Sequence, residues 1–80
     1  MNDPKYIVVE DYPVTSFIRN DIVFIFPSQI NHKDFANKIG GRTVLGAGFV
    51  DLETKTCYGK STSLRLKSRE IDTLLFRSQY

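Results

Sequence analysis

The chain has 80 residues, of which 41 % are hydrophobic, 25 % charged and 12 % aromatic, and its formal net charge is +2. That length excludes two separate cores and that apolar content excludes a disordered chain, so residues 1–80 read as a single domain of marginal stability. The net charge is too small for a surface given over to phosphate contacts, yet it is uneven: residues 1–40 carry 4 Lys or Arg against 5 Asp or Glu, and residues 41–80 carry 7 against 4. From Thr54 to Arg69 come five bases and no acid.

Tyr6-Ile7-Val8-Val9 is rich in β-branched residues and predicts a first strand that ends near Asp11-Tyr12-Pro13. Residues 14–19 and 22–26 predict two further strands, joined by Asn20-Asp21 as a tight hairpin turn, because both residue types tolerate positive φ. Ile22-Val23-Phe24-Ile25-Phe26 is apolar at every position, which implies two covered faces and a central strand. A helix over residues 33–39 follows, with Asn31 as N-cap, Ile30 placed to staple against Phe35, and Gly40-Gly41 as the stop.

Residues 43–51 and 56–66 predict a hairpin across Leu52-Glu53-Thr54-Lys55. The loop length sets Asp51 against Thr56, Phe49 against Tyr58 and Gly48 against Gly59. A second helix begins after Ser68, read as its N-cap, with Glu70 and Asp72 in the first turn. Its apolar stripe is Ile71, Leu74 and Leu75; Phe76 falls off it and Tyr80 lies in the region expected to fray. The fold class is therefore α+β: a small, mostly antiparallel sheet of four to five strands with two short helices, the C-terminal one packed on the sheet.

Few motifs carry chemistry. Gly59-Lys60-Ser61-Thr62 matches the end of a phosphate-binding loop, but Thr54 stands where the first glycine belongs and a strand, not a helix, follows. Val44-Leu45-Gly46-Ala47-Gly48 lacks the third glycine of a dinucleotide fingerprint. One histidine, His32, read as solvated, and one cysteine, Cys57, read as a small buried residue facing Val50, make neither a metal site nor a catalytic pair. No cofactor, no metal and no membrane contact are expected, and a lone cysteine makes the cytoplasm the expected compartment, of a bacterium or of a phage host.

Two features remain. On one face of the predicted hairpin Val44, Gly46, Gly48 and Val50 meet Cys57, Gly59, Ser61 and Ser63, a floor of small side chains that either a packed C-terminal helix or a ligand would use. In Leu64-Arg65-Leu66-Lys67-Ser68-Arg69 alternation turns the leucines inward and Arg65, Lys67 and Arg69 outward beside a helix N-terminus. With Lys60, these three are the candidate binding residues for an anion; the competing reading is a solvated edge strand.

The words Gly46-Ala47-Gly48-Phe49-Val50, Cys57 to Leu64 and Leu66 to Asp72 resemble small uncharacterised proteins of phages and bacterial prophages, with a G-x-S-x-S-L-x-L-x-S-R pattern, over roughly residues 22–76. Glu70 departs from the proline of that pattern. The resemblance implies a mobile-element origin and transfers no activity. The sequence thus points to a non-enzymatic binding domain acting by protein–protein contact, on a host protein or a second copy of itself, for example as a phage-encoded modulator. The alternative is a binder of nucleic acid or a phosphate ligand that uses the basic residues from Lys60 to Arg69.

Overall fold

The computed structural model describes residues 3–11, 20–40 and 42–80. Tyr6, Ile7, Val8 and Val9 form the middle of β1 (Lys5–Asp11), and all four are fully buried. β1 is paired along both edges, antiparallel to β2 (Asn20–Phe26) and to β3 (Val44–Asp51), and is covered on both faces, which is what buries these side chains. Among the described residues β4 (Thr56–Tyr58) completes a four-stranded sheet in the order β2-β1-β3-β4. β5 (Lys60–Ser61) and β6 (Leu66–Lys67) form a second, two-stranded sheet.

Alternation along β1 divides the core between the two faces of the sheet. On one face Tyr6, Val8, Val23, Val50 and Cys57 pack with Phe76 of α2 (Glu70–Gln79); on the other Ile7, Val9, Phe26 and Ala47 pack with Ala36 of α1 (His32–Lys38). The architecture is α+β, with the C-terminal helix docked on the sheet.

β2 has residues buried toward both faces, as its unbroken apolar run requires, but among the described residues it is an edge strand and β1 is central. Covered faces and paired edges are separate properties, and hydrophobicity reports only the first. Asn20 and Asp21 are not a turn: they stand opposite Asp11 and Glu10 in the ladder. The expected strand over residues 14–19 lies outside the described residues.

The caps of α1 are as its residues imply. Asn31 Oδ1 accepts the Lys33 amide at 2.8 Å, and Ile30 and Phe35 pack into the same core cluster. His32 is not solvated: it is 4 % exposed, edge-on to Phe26 and Phe49, and its Nε2 lies 2.8 Å from the Gly48 carbonyl. A carbonyl only accepts, so the neutral ring carries its proton on Nε2. Burial lowers the His32 pKa from the ordinary 6.5, aided by nearby Lys5 and opposed by the Gly48 hydrogen bond.

Phe49 faces Tyr58, Val50 faces Cys57 and Asp51 faces Thr56, the register expected from the loop. Neither the expected Gly48–Gly59 pair nor the single strand expected over residues 56–66 forms, because Gly59 at φ +78° ends the ladder after Tyr58. A Cβ on Gly48 would run into the Tyr58 carbonyl, so the chain crosses closely over β3 there and then turns off it.

α2 is rotated from its apolar stripe. Ile71 and Leu74 are 50 % and 64 % exposed, whereas Asp72 and Phe76, four residues apart on one face, are buried. Polar docking sets this rotation: Asp72 enters the core and Thr73 Oγ1 accepts the Cys57 amide at 3.0 Å. The N-cap is Arg69 rather than Ser68, whose amide is turned away to the Gly59 carbonyl at 2.9 Å. Tyr80 does not fray; its ring stacks on Phe76 at 5.2 Å.

Candidate binding groove

The β5–β6 hairpin is built by short polar side chains. Ser61 Oγ accepts the Leu64 amide at 3.2 Å and lies 3.2 Å from Ser63 Oγ, tightening the turn, and Arg65 at φ +56° reverses the chain. Leu64 and Leu66 return half-buried to the core while Arg65 and Lys67 stay exposed, as the alternation implies although no continuous strand carries them. The pairing places Lys60 directly opposite Lys67. Like charges in that position repel, and no acid among the described residues forms an ion pair with Lys60, Arg65 or Lys67.

Between this hairpin and β3 lies a cavity of about 640 Å³, lined by Leu45, Lys60, Ser61, Thr62, Arg65, Leu66, Lys67 and Arg69. The four candidate residues therefore meet in one place. Leu45 and Leu66 supply its apolar lining. Leu45 carries no motif; it is the extra residue where the β1–β3 register shifts between Val8 and Val9.

Arg69, however, is not a free cation. Its Nε and one terminal nitrogen lie 2.8 Å and 2.6 Å from Asp72 Oδ1, and its backbone amide donates to Asp72 Oδ2 at 3.1 Å. Tyr6 donates its hydroxyl to the same Oδ2 at 2.7 Å. Asp72 is fully buried, so this set of donors is what allows a carboxylate there at all. It also occupies the helix end that the sequence offered to an external anion. Burial, followed by the bond to Asp72, drives the Tyr6 pKa far up, so the hydroxyl stays a donor.

Gly46 lies beneath this cluster, and a Cβ there would strike Asp72 Oδ2. The small-residue floor is thus filled from within, by α2 over Gly46 and by the Tyr58–Gly59 backbone over Gly48. The Cys57 thiol is pushed up to about 11, first by burial and then by the Asp72 charge, which keeps it protonated and unreactive. Cys57 and His32 pack on opposite faces of the sheet and cannot act together. Among the described residues no group of three or more His, Cys, Asp or Glu is placed to hold a metal, and no helix is long and apolar enough to cross a membrane.

Sequence reasoning missed Asp72 as the partner of Arg69 and Tyr6 as a further donor to Asp72; the one local signal was the three-residue spacing of Arg69 and Asp72 beside a glycine-bearing strand. No family model matches the chain, and neither the curated proteins nor the solved structures contain a match.

Proposed function

We propose that the chain is a small non-enzymatic binding domain whose β5–β6 groove takes an acidic, partly apolar segment of a protein partner. The observation that carries this reading is the pairing of Lys60 with Lys67, exposed and without a counter-charge among the described residues, beside Leu45 and Leu66. Repulsion between the two lysines is relieved when a carboxylate lies between them, and the leucines offer an apolar side chain of the same segment a place out of water. A host protein contacted by a phage-encoded modulator is one source of such a segment.

The alternative, a nucleic acid or phosphate ligand, draws support from the same lysines and from the Ser61 and Thr62 hydroxyls in the groove. It is the weaker reading because Arg69 is neutralised internally, which leaves three cations and an apolar lining where a phosphate chain wants charge throughout. A fluorescent peptide of alternating Glu and Leu and a fluorescent oligo-dT, each titrated at low and moderate salt, separate the two. The protein reading expects the peptide to bind, Lys60→Glu/Lys67→Glu to abolish that binding, and salt to weaken it only modestly. Binding of oligo-dT alone, lost steeply with salt, would overturn it.

A further inference from the structure

Among the described residues β2 is an edge strand, and three backbone groups on its outer edge are held by side chains from the end of α2. The Val23 amide donates to Gln79 Oε1 at 2.9 Å, Gln79 Nε2 donates to the Asp21 carbonyl at 2.8 Å, and the Tyr80 hydroxyl donates to the Val23 carbonyl at 2.8 Å. The carboxamide of Gln79 thus presents a donor and an acceptor to this edge as the backbone of a fifth strand would. Such a cap is needed here: an open edge along Ile22-Val23-Phe24-Ile25-Phe26, apolar and β-prone throughout, is a template for another strand.

We propose that the outer edge of β2 is a self-pairing interface, closed in the free chain by Gln79 and Tyr80 and open to a second copy of this chain when they are displaced. A second copy fits because antiparallel pairing about a two-fold axis is self-complementary. With Val23 on the axis, the two Val23 residues exchange the amide and carbonyl that Gln79 and Tyr80 now hold. Asp21 then faces Ile25 and Ile22 faces Phe24 of the second copy, so no like charges oppose across the new ladder. Gln79 and Tyr80 are both exposed, so the cap is displaced without opening the core beyond the Tyr80 stack on Phe76. This interface lies on β2 and is independent of the groove at β5–β6.

Sedimentation velocity over a range of concentrations tests it, on the wild type and on Gln79→Ala/Tyr80→Ala, which removes both capping side chains. The wild type is expected to sediment as a monomer and the variant to self-associate at least about tenfold more tightly, as loss of net hydrogen bonds of this kind implies. Amide exchange in the variant should slow at Val23 as concentration rises. If circular dichroism shows the double variant unfolded, Gln79→Ala alone, which alters one exposed side chain, decides on the same two readouts. A folded variant that stays monomeric at every concentration overturns the proposal. So does a dimer whose Val23 amide is no better protected than in the monomer, or a wild type already paired through β2.

Discussion

Arg69 and Lys67 stand two residues apart in one basic run, yet they occupy opposite electrostatic situations. Arg69 is bound to a fully buried carboxylate that also holds the Tyr6 hydroxyl; Lys67 is exposed and faces another lysine. The first is part of what folds the chain, since a buried charge without its partners is far more costly than the pair is beneficial. The second contributes little to folding and is free for a ligand. A run of like charges is therefore not one site, and its members divide according to whether the fold brings each of them a counter-charge.

The largest effect expected from breaking this contrast is on the Arg69 side. Asp72→Ala leaves Arg69 and Tyr6 unpaired and should cost about 3–5 kcal/mol in urea denaturation, a large part of what so short a chain has to lose. Gly46→Ala drives a methyl into Asp72 Oδ2, which Tyr6 and Arg69 hold in place, and should cost about 1–3 kcal/mol by the same measurement.

A smaller, pH-dependent loss is expected from His32. Its folded pKa lies below the ordinary 6.5, so the unfolded chain takes up the proton first. Its contribution is complete above that value and is lost as pH falls from 6.5 through the lowered folded pKa. Thermal midpoints should drop across that window, and the slope should flatten in His32→Gln. The smallest effect belongs to Lys60→Glu, which replaces a like-charge pair by an opposite one and should raise stability by no more than about 0.5–1 kcal/mol in thermal unfolding.

What the sequence made legible follows the range of the forces involved. The Asn31 cap, the Asp51–Thr56 register and the α+β class depend on residues close together along the chain, and each is found. Features set by distant residues are not legible in this way. Among the described residues β2 lies at an edge although its composition suits a centre, because composition reports covered faces and not strand order. The strand expected over residues 56–66 breaks at Gly59, where the close crossing over Gly48 and a left-handed φ decide the path. The rotation of α2 follows Asp72 and Thr73, polar residues whose partners lie on other strands, so of the hydrophobic stripe only Leu75 packs on the core. The candidate cations were legible as a group and do meet in one groove, but the charge of Arg69 is spent on Asp72, a residue drawn into the core where Tyr6, 66 residues away, also donates to it.

The most direct test of that division is a pair of charge reversals two residues apart, Lys67→Glu and Arg69→Glu, each measured for thermal midpoint and for binding of the Glu-Leu peptide. Lys67→Glu should leave the midpoint within the shift that about 0.5 kcal/mol produces and abolish peptide binding, whereas Arg69→Glu, facing the buried Asp72, should unfold the chain. Equal tolerance of the two reversals, or unfolding by Lys67→Glu while Arg69→Glu remains folded, would contradict the account.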